Sequence, residues 1–171
     1  MNDDVSTPAT PRTAPARPST GNPITRSHAV WREGLLFEAG MGDRVQIVDG
    51  NSTAAPSPVE TLLGSLGTCA GSDIVDILAK QRTPVTRLEV DVMATRRAEF
   101  PRRIMTLELT FTIDGKGISS DQAERAIRLS IEKYCTVAAS LAGDITLETI
   151  LVLNGKRGEP VQQPMFSTTF P

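Results

Sequence analysis

The chain contains two cysteines, Cys69 and Cys135, and their thiols are the groups best suited to do chemistry. Cys69 lies in SPVETLLGSLGTCAGSDIVDILAKQ, residues 57–81, and Cys135 follows 66 positions later in EKYCTVAASL. A thiolate can attack a peroxide O–O bond to give a sulfenic acid, and a second thiol then closes a disulfide and expels water. This pairing needs the two Cα atoms within about 7 Å. The residue types alone leave open a second interpretation, that both thiols are inert buried side chains.

Catalysis would require an activated thiol, because at a pKa of about 8.5 only about 3% of a cysteine is thiolate at pH 7. A nearby arginine lowers an acid's pKa by about 1–3 units, and the positive end of a helix dipole acts in the same direction. Cys135 is predicted where one helix ends and another begins, so we expect the dipole to lower its pKa. Small residues surround Cys69, which indicates close helix packing or, less favoured, space for a ligand; they are Gly64, Ser65, Gly67, Thr68, Ala70, Gly71 and Ser72.

The amino-acid composition argues against several classes of function. The 171 residues suffice for one domain, and a net charge of −2 without a basic patch argues against a nucleic-acid partner. We find no apolar run of about 18 residues and no signal-peptide pattern, so neither a membrane span nor export is expected and a cytoplasmic location is the default. The single histidine, His28, is predicted to be an exposed surface residue, and one His with two distant Cys is not a zinc pattern. A metal site built from His, or from Cys and His together, is therefore poorly supplied.

Hydrophobic periodicity predicts an α+β domain with the element order β-β-α-β-β-α-β. The long helix at 57–81 has a clear start, because Ser57 can cap it, Pro58 suits its first turn and Glu60 can complete a capping box. A second helix is predicted from Ser119 or Ser120 to Cys135, followed by a short helical piece at 136–141. The predicted strands, mostly antiparallel, are 28–38 and 44–48, joined through 40–42 as a hairpin, then 88–94, 107–113 and 145–153.

The ordered domain is expected to span residues 28–154. Residues 1–27 are rich in Pro, Thr and Ala and are predicted to be a disordered arm. Residues 155–171 are again rich in Pro, Gly and polar residues and are expected to form a loose C-terminal tail, in which Met165, Phe166 and Phe170 could dock.

Three motifs resemble those of the OsmC/Ohr family of osmotically inducible and organic hydroperoxide resistance proteins. They are PVETLLGSLGTCA at 58–70, EKYCTVA at 132–138 and VWREGLLF at 30–37; the stretch TRRAEFPR at 95–102 is more similar to a less characterised branch. The resemblance implies an OsmC-like fold, with antiparallel sheets wrapped around two central helices. It also implies an intertwined homodimer with active sites at the subunit interface. The implied substrates are organic hydroperoxides, reduced with electrons from a dithiol such as the lipoyl group of a carrier protein. The resemblance implies no metal or organic cofactor.

The resemblance assigns the peroxidatic thiol to Cys69 and the resolving thiol to Cys135. The family's peroxidases also use an arginine and a glutamate, and their glutamate lies ten residues before the reactive cysteine. Here Val59 holds that position, and Glu60 lies nine residues before Cys69. Nine residues correspond to a rotation of about 900° around an ideal helix, so Glu60 is expected on the face opposite Cys69. Glu60 is therefore both a catalytic candidate and the natural capping residue. Arg97 is the favoured arginine, with Arg32, Arg44, Arg96 and Arg102 as further candidates.

Two other functions stay open at this point. One is a dimer without useful turnover that binds a small apolar or thiol-reactive molecule or acts as a redox sensor, and the displaced glutamate favours it. The other keeps both cysteines as unreactive core residues. The retained pair of thiols favours the peroxidase over both.

Overall fold

Two β-sheets and one long helix organise the computed structural model, which describes residues 24–165. The predicted arm is therefore outside the described residues up to position 23, as are Phe166 and Phe170. The element order agrees with an α+β fold. The helices are α1 (Pro58–Lys80), α2 (Ser120–Leu129), a π-helical turn (Ser130–Tyr134) and α3 (Thr136–Ala139).

The smaller sheet differs from the predicted hairpin, because it has three antiparallel strands where two were expected. The predicted strand at 28–38 is broken at Gly34, which adopts a left-handed φ of +49° and lets the chain reverse. Its two halves pair with each other, and the second half also pairs with the next strand. The strands are β1 (His28–Glu33), β2 (Leu36–Met41) and β3 (Arg44–Asp49).

The larger sheet carries the core. Its strands are β4 (Arg87–Arg96), β5 (Ile104–Asp114), β6 (Thr146–Leu153), β7 (Lys156–Arg157) and β8 (Val161–Gln163). β4 and β5 pair antiparallel, as predicted, whereas β5 and β6 pair parallel. The parallel pairing follows from the helical connection between them, because a crossover returns the chain to the same end of the sheet.

The segment after Gly155 is not the loose tail that the sequence predicts. β7 and β8 both pair antiparallel with β6. The amide of Gln163 donates to the hydroxyl of Thr149 over 2.8 Å, and both side chains are buried. Met165 packs against the core. Backbone pairing along an open sheet edge thus orders a segment whose composition carries little hydrophobic signal.

Helix α1 begins as predicted. The hydroxyl of Ser57 accepts the Glu60 N–H, and the Glu60 carboxylate accepts the Ser57 N–H, which completes the capping box. By length and composition alone α1 is apolar enough to cross a membrane, which the sequence analysis did not expect. In this fold it is the central helix, and its fully buried side chains form the middle of the core; they are Leu66, Ala70, Ile74 and Leu78.

The glycines of α1 allow the helix to lie close to the sheet. A Cβ added at Gly67 would meet the Val92 side chain at 3.2 Å, and one at Gly71 would meet Leu88 and Val90 at 3.4 Å. Close packing, the favoured reading of these small residues, therefore accounts for Gly67 and Gly71. Gly64 differs, since within the described residues nothing lies within 4 Å of an added Cβ.

Candidate functional site

Helix α1 places Cys69 and Asp73 on one face, because residues four apart in a helix are neighbours. Asp73 is buried, with 5% of its surface exposed, whereas Cys69 is half-buried at the edge of the core. A buried carboxylate requires partners that satisfy its oxygens. Asp73 has one in Ser130 of the π-helical turn, whose hydroxyl lies 3.1 Å from Oδ2 and 3.3 Å from the Ala70 carbonyl oxygen.

Cys135 lies where the π-helical turn ends and α3 begins, as the sequence predicts. Its N–H donates to the Ser130 carbonyl over 2.8 Å, and its Sγ accepts the Ala138 N–H at 3.4 Å. These two bonds fix both its backbone and its side chain. With 1% of its surface exposed, Cys135 is a core residue.

The fold brings the two thiols together. Both cysteines are free, and the Sγ atoms of Cys69 and Cys135 and a carboxylate oxygen of Asp73 all lie within 4.8 Å of one another. A disulfide has an S–S length of about 2.05 Å, so the sulfurs are unbonded but near enough for a modest movement to join them. Within residues 24–165 this is the one group of three metal-ligand side chains that comes so close together.

The environment of Cys135 reverses the expected effect of the helix dipole. Burial raises the pKa of the Cys135 thiol to about 12, and the neighbouring Cys69 and Asp73 act in the same direction. The Ala138 N–H acts in the opposite direction but is outweighed. The prediction of a lowered pKa was therefore wrong, because desolvation penalises the thiolate more than one N–H stabilises it. Cys135 is protonated at neutral pH.

Glu60 lies at the start of α1 and is exposed. Its carboxylate accepts hydrogen bonds from the Ser52 hydroxyl and from the hydroxyl and N–H of Ser57. These donors lower the pKa of Glu60 to about 2. All of its hydrogen bonds belong to the helix cap and the loop before it, and none of them joins it to Cys69.

Arg97 lies at the end of β4, where the chain bends toward β5. Its Nε donates to the Pro101 carbonyl of the same bend. Three of the other arginine candidates also bond locally: Arg96 donates to the Arg102 carbonyl, Arg102 to the Ala98 carbonyl, and Arg32 pairs with Glu38. The remaining candidate, Arg44, is the first residue of β3. Among the described residues, the hydrogen bonds and ion pairs of these arginines do not join any of them to the two thiols.

Comparison with known proteins identifies the family of this chain. Residues 49–150, more than half of the chain, match the family described as OsmC-like protein. The chain belongs to the OsmC-like family. The resemblance drawn from the sequence motifs is confirmed.

Similar proteins extend this assignment. Protein YhfA of Escherichia coli is 41% identical over 114 residues, which cover 65% of this OsmC-like chain and 84% of YhfA. A hypothetical protein from Aquifex aeolicus is 24% identical with a TM-score of 0.70, over 77% of this chain and 96% of that one. An organic hydroperoxide resistance protein OsmC from Legionella pneumophila is 14% identical with a TM-score of 0.57, over 77% and 98%. The last two show a shared fold.

Sequence reasoning on this OsmC-like chain missed Asp73 and Ser130. Asp73 stands four residues after Cys69, which is the spacing of one helix face, so the helical pattern around a candidate cysteine could have revealed it. Ser130 carries no such signal, because only the packing of α2 and the π-helical turn against α1 brings it near. The π-helical turn itself, a rare element that is frequent at functional sites, was also not foreseen.

Proposed function

We propose that this protein is a thiol-dependent peroxidase that reduces organic hydroperoxides to alcohols. The observation that supports the proposal is the pair of free thiols, Cys69 and Cys135, whose sulfurs lie within 4.8 Å of each other. A pair of thiols that form a disulfide in each catalytic cycle requires this closeness. A family whose structural neighbours include proteins named for organic hydroperoxide resistance provides the substrate class.

Cys69 is the attacking thiol in this proposal, because it is the more exposed of the two. Its thiolate attacks the distal peroxide oxygen, the O–O bond breaks, and the alkoxide leaves as an alcohol after taking a proton. The sulfur is oxidised to sulfenic acid. Only the thiolate reacts at a useful rate, so a positive group near Cys69 is required in the working assembly.

Cys135 resolves the sulfenic acid. Because burial keeps its thiol protonated, it does not compete for the hydroperoxide. Its sulfur attacks the Cys69 sulfur, an S–S bond forms, and the hydroxyl leaves as water with the thiol proton. A small external dithiol then reduces the disulfide by two exchange steps and returns both thiols. Lipoyl groups on carrier proteins have this chemistry, and a reducing cytoplasm would maintain them.

A second copy of the chain completes the proposed assembly. Large apolar side chains are exposed on both faces of the small sheet, with Trp31 at 61% on one face and Val45 at 50% and Ile47 at 46% on the other. A three-stranded sheet with an exposed apolar surface is typical of a protein that buries it against a partner. The intertwined homodimer implied by the family would cover this surface and supply residues to each site.

The experiment that tests the proposal measures turnover of cumene hydroperoxide by the reduced protein with dihydrolipoamide. We expect fast turnover in the wild type, turnover no faster than free dihydrolipoamide in Cys69→Ser, and one oxidation followed by a stalled sulfenic acid in Cys135→Ser. Trapping with a dimedone reagent and mass spectrometry would locate that sulfenic acid. Wild-type turnover equal to that of the free dithiol would refute the peroxidase.

A redox sensor is the second candidate, because Glu60 is engaged in the helix cap and Arg97 in its own bend. A sensor would form the Cys69–Cys135 disulfide once and would be re-reduced slowly. A peroxidase and a redox sensor differ in the rate at which dihydrolipoamide reduces the oxidised protein. Stoichiometric oxidation by hydroperoxide with no steady-state turnover would favour the sensor.

A further inference from the structure

Asp73 gives the thiol pair a third donor that a peroxidase cycle of two cysteines does not need. Its carboxylate oxygen and the sulfurs of Cys69 and Cys135 form a triangle with every side within 4.8 Å. Cys135 and Asp73 are buried and Cys69 is half-buried, so Cys69 is the least enclosed corner of the triangle.

Two thiolates and one carboxylate are a donor set that suits zinc. Zn²⁺ binds cysteine sulfur at about 2.3 Å and carboxylate oxygen at about 2.0–2.2 Å, in tetrahedral geometry. Sulfurs bound to one zinc lie about 3.8 Å apart in that geometry. The two thiols therefore need to approach by about 1 Å at most, which side-chain rotation of the half-buried Cys69 can supply.

The surroundings hold the donors in place. The Ser130 hydroxyl donates to Asp73 Oδ2, and the Ala138 N–H donates to the Cys135 sulfur. Outer partners of this kind orient ligands and raise metal affinity in proteins. Cys69 and Asp73 share one rigid helix, and Cys135 is anchored through its own N–H to Ser130. Three donors thus converge on one point from two elements.

We propose that the reduced protein binds one thiophilic divalent cation of the zinc type through Cys69, Asp73 and Cys135, with a fourth position left to water. Each thiol gives its proton to solvent as its metal–sulfur bond forms. A disulfide between the two cysteines removes both sulfur ligands, so oxidation releases the cation. The site therefore exists only in the reduced state, and metal and hydroperoxide compete for Cys69.

The test is titration of the reduced full chain with Co²⁺, whose tetrahedral thiolate complexes absorb through sulfur-to-metal charge transfer, followed by displacement with Zn²⁺. We expect one equivalent per chain, about half the charge-transfer intensity in Cys69→Ser, and no binding after oxidation with diamide. Ser130→Ala should weaken binding by about 10–100-fold through loss of the outer partner. Asp73→Asn should weaken it further.

Asp76→Asn is the matched control, because Asp76 is a partly exposed aspartate on the same helix that pairs with Lys80 at 2.6 Å. It should bind like the wild type. Asp73→Cys covers the case in which Asp73→Asn does not fold, since a third thiolate should raise both affinity and charge-transfer intensity. Equal affinity of the wild type and Asp73→Asn, or no binding by the wild type, would overturn the proposal. The titration uses no hydroperoxide, so a failed peroxidase assay leaves its result unaffected.

Discussion

Ser130 donates its hydroxyl hydrogen toward Asp73 Oδ2 over 3.1 Å inside the core, where Ser130 is fully buried and Asp73 is 5% exposed. The backbone of the same serine accepts the Cys135 N–H. Ser130 thus connects the carboxylate on α1 to the cysteine at the start of α3. The geometry of the site depends on this residue, although it is not one of the reacting groups.

Ser130→Ala should destabilise the fold by about 1–3 kcal/mol, because it removes a hydrogen bond from a buried carboxylate that water does not reach. The free energy of unfolding from urea titration at pH 7 measures this. Ser72→Ala is the matched control, since Ser72 is an exposed serine of α1 whose hydroxyl bonds only to the Thr68 carbonyl of its own helix. It should change stability by less than about 0.5 kcal/mol. Equal effects of the two substitutions would contradict the assigned role of Ser130.

Glu60 should stabilise the protein in a pH-dependent way. Hydrogen bonds from Ser52 and then Ser57 lower its pKa from 4.5 to about 2. A lowered pKa in the folded state means that the charged carboxylate adds stability above pH 4.5, and this stability is lost as the pH falls through about 2. The melting temperature of Glu60→Gln should therefore lie below that of the wild type above pH 5, and the gap should close by about pH 2.

The control for Glu60 is Glu124→Gln on the exposed side of α2, outside the cap that Ser119 and Gln122 form for that helix. It should leave only a small difference in melting temperature at pH 7. A gap between Glu60→Gln and wild type that is the same at pH 7 and pH 2 would argue against the cap as the source of stability.

Trp31 is the single tryptophan, and 61% of its surface is exposed in the chain described here. If a second copy covers the small sheet, the indole is shielded from water in the assembly. We expect a mass of twice 18.4 kDa by light scattering and a red shift of tryptophan emission as dilution separates the subunits. Phe37→Lys, which puts a charge beside Trp31 on the same face of the sheet, should shift this transition to higher protein concentration. A monomer at all concentrations would contradict the dimer.

Sequence reasoning predicted the elements whose signals are local. The capping box at Ser57 and Glu60 and the alternation in β4, β5 and β6 depend on neighbours within a few positions, and the structure has all of them. The break at Gly34 was missed because a single glycine inside an extended pattern is also compatible with a bulge in one continuous strand. The parallel pairing of β5 with β6 was missed because pairing direction depends on the path of the connection.

The candidate site was predictable only in part, because it too depends on contacts between residues that are far apart in the sequence. The residue types singled out Cys69 and Cys135, but proximity across 66 positions is a property of packing. The raised pKa of Cys135 could not be predicted from the sequence, because its main cause is burial. The predicted start of a helix at Cys135 suggested a lowered pKa instead. Asp73 became a candidate only when the fold placed Cys135 beside the face of α1 that it shares with Cys69.

Arg97 should act on the Cys69 of the partner subunit. Within the described residues its Nε donates to the Pro101 carbonyl of its own bend. The family resemblance implies that the active site lies at the subunit interface, so a second copy of the chain can supply the positive group near Cys69. We expect Arg97→Gln and Cys69→Ser to be inactive separately as peroxidases. Refolded together from denaturant in equal amounts, they should recover about a quarter of wild-type turnover, because half of the dimers are mixed and each has one competent site.

The activity recovered on mixing distinguishes an arginine that acts within its own subunit from one that acts on the partner subunit. An arginine acting within its own chain leaves the mixed dimer without any complete site, since one subunit lacks the thiol and the other lacks the guanidinium. No recovery on mixing would therefore contradict action across the interface. Full activity of Arg97→Gln alone would exclude Arg97, and the same mixing experiment would then apply to Arg44 and Arg102. If mixing restores activity, Arg97→Lys tests what the guanidinium contributes. Lysine keeps the positive charge but lacks the planar, forked N–H donors of arginine. Partial activity of Arg97→Lys would indicate that charge alone activates the thiol.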